Sequence, residues 1–173
     1  MSYLAVIILG LAAFVVADHH EAHGNDPKEI APDPEHPWIG KWESIDGRQE
    51  NFDNLVAKLD APQYGGNQKV YHKLWKEGDH FHHGLAVPDK QLKKFVQFKF
   101  GEEQSLTFNN TEFKITYSEK DKDLHVDVKI PAKGVTIHDV YHVEGEELVK
   151  SYTVGDVKAK KWFKKAVSKP ANA

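Results

Sequence analysis

Two stretches in the second half of the chain, Thr111–Glu119 and Asp123–Ile130, alternate between apolar and polar residues, and this period of two restricts the fold more than anything else in the sequence. Phe113, Ile115 and Tyr117 share one face of the first stretch; Leu124, Val126, Val128 and Ile130 share one face of the second. Successive side chains of a strand point to opposite faces, so the pattern predicts half-buried antiparallel strands. Turn signals recur at Glu77-Gly78-Asp79, Gly101-Glu102-Glu103, Lys120–Lys122, Pro131–Gly134, Glu144-Gly145-Glu146 and Gly155-Asp156, a spacing of about ten residues with few helical windows between. The expected architecture is all-β: an up-and-down antiparallel barrel of about ten strands, closed on itself because closure removes exposed edges.

One segment breaks the rhythm. Phe52, Leu55, Val56 and Leu59 fall at i, i+3, i+4 and i+7, which predicts a short amphipathic helix over Asn51–Leu59 with Asn51 as its cap. Pro62 and Gly65-Gly66 leave little room for a second helix before the next strand.

The ends read differently. Residues 4–17 are an uncharged apolar run, shorter than the ~20 residues a membrane-spanning helix needs. Val15-Val16-Ala17 places small residues where a signal peptidase cuts, and strongly polar sequence follows at once. A membrane anchor is the competing reading, and no Lys or Arg precedes the run. The expected division is a signal peptide over 1–17, a polar tail rich in acids, His and Pro over 18–37, one barrel domain over 38–167 and a short tail over 168–173. Such a chain is secreted, and with no cysteine it must hold itself by core burial and strand pairing alone. Asn109-Asn110-Thr111 then becomes a glycan acceptor at Asn109, on an exposed turn. The net charge of −3 conceals eleven acids against four bases over 18–60 and six lysines against one acid over 156–173.

Little in the chain points to catalysis. Serines 44, 105, 118, 151 and 168 sit in no nucleophile motif, no glycine-rich loop resembles a phosphate cradle, and there is no thiol. No enzyme, no cofactor and no metal centre is expected. His80-Phe81-His82-His83 invites a zinc reading, but alternation turns His83 away from His80 and His82, and tetrahedral zinc wants three or four ligands; solvated strand histidines are the expectation. Cleavage after Ala17 would expose Asp18-His19-His20, whose amine, amides and third-position imidazole suit square-planar Cu(II). The lysines at 158, 160, 161, 164 and 165 alternate with Ala159, Trp162 and Phe163, which suggests an anionic membrane surface or nucleic acid; alternation explains part of the cluster as a solvated strand face, and nucleic acid is not an expected partner of a secreted chain.

Particular residues carry a family likeness. Gly40-Lys41-Trp42, followed by Asn51-Phe52-Asp53 and the helix, resembles the amino-terminal signature of fatty-acid-binding proteins. Gln63-Tyr64-Gly65-Gly66-Asn67, His72–His83, Val87-Pro88-Asp89-Lys90, Asn109-Asn110-Thr111-Glu112 and Tyr152–Lys160 are similar to the secretory abundant heat soluble (SAHS) proteins of tardigrades, over roughly residues 38–165. The resemblance implies a secreted, heat-soluble, non-enzymatic molecular shield acting during desiccation, with dehydration-sensitive proteins or membranes as non-specific clients. The alternative it implies is a carrier of a fatty acid or other amphiphile inside the barrel, with Trp42, Trp75, Lys161 and Phe163 near the ligand. The carrier motif Arg-x-Tyr of the last strand falls on Lys161-Trp162-Phe163, so the guanidinium fork and the hydroxyl are both missing. Arg48, the sole arginine, lies just after the expected first strand.

Overall fold

Alternation of the kind read above produces ten strands in the computed structural model, which describes residues 27, 29–62, 65–90, 92–108 and 111–166. They are β1 (Gly40–Glu50), β2 (Tyr71–Glu77), β3 (His80–Val87), β4 (Leu92–Phe98), β5 (Glu103–Phe108), β6 (Thr111–Lys120), β7 (Asp123–Ile130), β8 (Val135–Glu144), β9 (Glu147–Val154) and β10 (Val157–Lys165), with one helix, α1 (Phe52–Lys58), after β1. All neighbours are antiparallel in the single order β4-β3-β2-β1-β10-β9-β8-β7-β6-β5.

Full closure by backbone pairing was the expectation, and here the structure differs. β4 and β5 are the two ends of the sheet, and among the described residues no ladder joins them. A side chain bridges the gap instead, Gln104 Nε2 donating to the Gln97 carbonyl at 2.7 Å. The turns use the residues their geometry demands. Gly145 and Gly155 take positive φ in two-residue connections, where a Cβ would be strained. At the β6–β7 turn the same conformation is forced on Asp121 (φ 52) and Lys122 (φ 68).

Helix α1 lays Phe52, Leu55 and Val56 against the barrel, each fully buried, and burial of such a side chain contributes roughly 1.5–3 kcal/mol. Phe52 meets Tyr152 edge to face at 5.6 Å. Asn51 does not cap the helix as expected. It sits in the left-handed region at φ 54 with no side-chain cap bond, and its Nδ2 donates to the Lys158 carbonyl at 2.7 Å. Asp53 ties the chain after α1 back to the helix, accepting from the Gly66 amide at 2.9 Å.

Residues 33–38 lie against the barrel. His36 and Trp38 both reach one oxygen of Glu119, at 2.7 and 2.8 Å, and Trp42 donates to the Trp38 carbonyl at 2.9 Å. Phe81, Phe98 and Phe100 stack beside them. The apolar run 4–17, the Asp18-His19-His20 motif, Asn109 and the stretch 167–173 lie outside the described residues.

Candidate functional site

Cross-strand partners share a face, so register decides what the barrel encloses. Lys161 of β10 stands opposite Lys150 of β9, Lys150 opposite Tyr141 of β8, and Tyr152 opposite Asp139. All five point inward and all are buried. The interior is therefore charged as well as apolar, and burial without partners would be costly.

Lys150 and Asp139 answer that cost by pairing: Nζ lies 2.8 Å from Oδ2, with side-chain exposures of 0% and 3%. The ammonium also faces the Tyr141 and Tyr152 rings, 4.8 and 4.4 Å from their centroids. Burial lowers the Lys150 pKa while Asp139 holds it up; burial raises that of Asp139 while Lys150 holds it down. Burial, with Asp139 adding repulsion, also keeps the Tyr141 and Tyr152 phenols protonated well beyond their usual range.

A second group crosses from β2 to β6. His72 Nδ1 lies 3.0 Å from His83 Nε2, and His83 Nδ1 lies 3.3 Å from the Tyr117 hydroxyl. Both imidazoles fall well below their ordinary value, first through burial and then through the nearby Lys150 charge, so both are neutral. Whichever tautomer runs along this chain, its end atom, His72 Nε2, has no hydrogen-bond partner among the described protein atoms, and neither has Asp139 Oδ1.

Lys161 sits beneath α1. Its Nζ donates to the Gln68 carbonyl at 3.1 Å and lies 5.0 Å from the Phe52 ring centroid. The same carbonyl accepts from the Ser44 hydroxyl at 3.4 Å. Burial, then repulsion from Lys150, brings the Lys161 ammonium down to about 8, with Asp46 pulling weakly the other way.

The four residues singled out on sequence do not meet at one place. Lys161 and Phe163 share the interior, Phe163 packing edge-on to His72 at 4.9 Å. Trp42 is buried at Trp38, with the Lys165 ammonium 3.7 Å from its ring centroid. Trp75 stands apart on the outer face, stacked on His82 at 4.7 Å and edge-on to Phe95 at 6.1 Å. Its odd place in β2, beside inward Leu74, puts it there.

The expectation of solvated histidines holds for His80, which is partly exposed beside Asp79, and fails for His83, which is fully buried. Sequence reasoning treated those histidines as one local cluster and missed His72 on the neighbouring strand. It also missed Asp139 and Lys150. The signal for both was phase, because each occupies an inward position of an otherwise apolar alternation: Ile137-Asp139-Tyr141 and Leu148-Lys150-Tyr152.

No protein-family model matches the chain. Individual proteins do. Secretory-abundant heat soluble protein 64681, from a tardigrade of the genus Hypsibius, is 49% identical over 172 residues, covering 98% of this chain and 97% of that one. Secretory-abundant heat soluble protein 1 of Ramazzottius varieornatus is 48% identical over 170 residues, covering 97% and 99%. A crystal structure of an SAHS protein from Ramazzottius varieornatus aligns with a TM-score of 0.71 at 52% identity, over 75% of this chain and 95% of that one. The Schistosoma mansoni fatty-acid-binding protein in complex with arachidonic acid aligns with a TM-score of 0.66 at 22% identity, over 79% and 100%, a likeness of fold alone.

Ten antiparallel strands wrapped around a buried polar interior, with a helix packed across β9 and β10, make this a barrel of the fatty-acid-binding-protein type. Within that class the similarity runs nearly end to end with one group, and the chain belongs to the secretory abundant heat soluble family.

Proposed function

We propose that this chain is a secreted, heat-soluble protectant that shields other molecules during water loss without catalysis. The observation that supports it best is the Lys150–Asp139 ion pair at the centre of the barrel. In a fatty-acid carrier an interior cation waits for the ligand carboxylate. Here one interior cation already has a carboxylate, and the other, Lys161, is held by the Gln68 carbonyl. The protective activity then belongs to the outer surface. A charged, cysteine-free protein keeps neighbouring molecules apart and replaces some hydrogen bonds that water no longer provides. Secretion rests on the apolar run ending at Ala17 and on the names of the relatives; glycosylation at Asn109 follows only if the chain is secreted. The clients are dehydration-sensitive proteins or membranes, bound without specificity.

A lipid carrier is the second reading, and specific observations favour it. Among the described residues Lys161 has no carboxylate within ion-pair distance, and His72 Nε2 and Asp139 Oδ1 are buried without protein partners. Calorimetric titration with oleate separates the two. The shield reading predicts weak binding that tightens in Lys161→Arg with Phe163→Tyr, which restores the fork and the hydroxyl. Tight binding by the unaltered protein, or lipid carried through purification from secreting cells, would reverse the ranking.

A further inference from the structure

Histidines and carboxylates collect on one outer strip of the barrel. The outward positions of β7 include Asp123, His125 and Asp127, and those of β8 include His138, Val140 and His142. Register sets Asp127 opposite His138 and His125 opposite Val140, so His125 is the diagonal neighbour of His138. The two rings converge nitrogen to nitrogen. His125 Nδ1 lies 3.3 Å from His138 Nε2, with ring centroids 5.3 Å apart. The pair exists only once β7 and β8 are in register, so no sequence motif announces it.

A carboxylate fixes the proton on one of the rings. His138 Nδ1 donates to Asp127 Oδ1, so the neutral ring keeps its proton there and leaves Nε2 as a bare lone pair. His125 Nδ1 then donates to that lone pair across 3.3 Å, a long separation for an N–H donor. The same distance suits a shared metal. Two imidazole nitrogens on one tetrahedral zinc, each about 2.0–2.1 Å from it, stand about 3.3–3.4 Å apart. A square-planar ion such as Cu(II), at similar bond lengths, would need them at about 2.8 Å. His125 frees its Nδ1 lone pair by moving the proton to Nε2, an exchange between neutral tautomers. Asp127 already stands where a carboxylate supports a metal-binding histidine, holding the ring and making its other nitrogen more basic.

The surroundings favour a cation. Ser118 and Thr116 of β6 stand opposite His125 and Asp127, and Thr153 of β9 stands opposite His138. Lys129, the next outward residue of β7, has Glu103 3.6 Å away, which offsets its charge. Asp123, in contact with His142, adds a carboxylate on the other side. The interior pair makes the contrast. His72 Nδ1 and His83 Nε2 are 3.0 Å apart, but a Tyr117 hydroxyl backs His83 where Asp127 backs His138, and the Lys150 charge acts on both rings. A dication there would be repelled, so spacing alone does not make a site.

We propose that His125 Nδ1 and His138 Nε2 together bind one zinc ion on the outer face of β7 and β8, with Asp127 as the positioning residue. Among the described residues no group of three or more ligating side chains surrounds one point. Water completes the tetrahedron, and the ion is held less tightly than in sites with three or four protein ligands.

The test is titration of zinc chloride into untagged protein, purified from secreting eukaryotic cells fed isotope-labelled histidine, with the ring nitrogens followed by NMR. His125 Nδ1 and His138 Nε2 are expected to shift together, while the nitrogens of His72 and His83 stay in place. His125→Gln and His138→Gln should each remove the zinc response of the remaining ring. Asp127→Ala should weaken binding roughly 10–100-fold, whereas His142→Gln, on the same strip, should leave it near the parent level. Thermal melting checks that each variant folds, and the ring shifts of the parent test the proposal without any variant. It is overturned if zinc moves only other histidines or if His125 responds to zinc independently of His138. It is equally overturned if folded Asp127→Ala binds zinc as the parent does.

Discussion

Asp139→Leu is the sharpest perturbation of the interior. It leaves the Lys150 ammonium with no counter-charge at a position of zero exposure, where Oδ2 had stood 2.8 Å away. The ammonium escapes by giving up its proton. For a lysine that normally titrates at 10.5, neutralisation at pH 7 costs three and a half pH units at about 1.4 kcal/mol each, so about 5 kcal/mol caps the penalty. Breaking buried pairs elsewhere costs about 3–5 kcal/mol, which agrees. A loss of about 4 kcal/mol corresponds to a melting temperature lower by roughly 8–16 °C for a chain of this size. Lys150→Met added to Asp139→Leu replaces the pair by apolar groups of similar volume and should restore the parent stability to within ~1 kcal/mol. The pH dependence identifies the cause. The Asp139→Leu penalty should shrink by about 1.4 kcal/mol per unit as pH rises from 7 towards 9, because the proton becomes easier to lose. Urea unfolding followed by tryptophan fluorescence at pH 7 and 9 measures both. A double variant whose loss equals the sum of the two single losses, or a single-variant penalty unchanged between those pH values, would refute the coupling.

Other outcomes follow from the same interior. Lys161 has a folded pKa near 8 against 10.5 unfolded, so the unfolded chain holds the extra proton between those values and stability rises with pH there. Lys161→Met should flatten that rise in melts taken from pH 8 to 9, before tyrosines of the unfolded chain, which titrate near 10, begin to oppose it. His72 and His83 are held well below 6.5 in the folded state, so acidification below that value should destabilise by up to about 1.4 kcal/mol per pH unit for each. Acid titration of the parent against His83→Leu reads that slope, and an identical slope in the variant would contradict it. At the β6–β7 turn Lys122 adopts φ 68, and Lys122→Gly should stabilise by about 0.5–1 kcal/mol by relieving the left-handed strain; a melting temperature below the parent would count against it.

How far the sequence could be read follows from what its periods carry. Alternation gave the barrel and the inward faces of β6 and β7, and the i, i+3, i+4, i+7 spacing gave the buried stripe of α1, because those patterns are local and each residue announces its own face. The ends of the sheet were not legible, since closure depends on whether β4 and β5 approach, and no local pattern encodes that distance. Lys161 was found through likeness to a ligand motif, yet its partner, the carbonyl of Gln68, lies 93 residues away. The histidine chain needs β2 and β3 paired in register before His72 and His83 meet. Trp75 was placed near the ligand by family likeness alone, whereas the structure sets it on the outer face against His82 and Phe95. Asn51 was read as a helix cap from its residue type, and its left-handed backbone instead turned the side chain to Lys158.

The central claim is that protection resides in the outer surface and that the paired interior serves the fold. Drying a desiccation-sensitive enzyme with increasing amounts of this protein, then assaying recovered activity on rehydration, tests it directly. The account predicts recovery that grows with added protein up to comparable mass, with identical curves for the parent and Lys161→Met. Recovery that saturates at a small fraction of the enzyme's mass, or that disappears in Lys161→Met while the barrel still melts as the parent does, would contradict it and place the activity at a site inside the barrel.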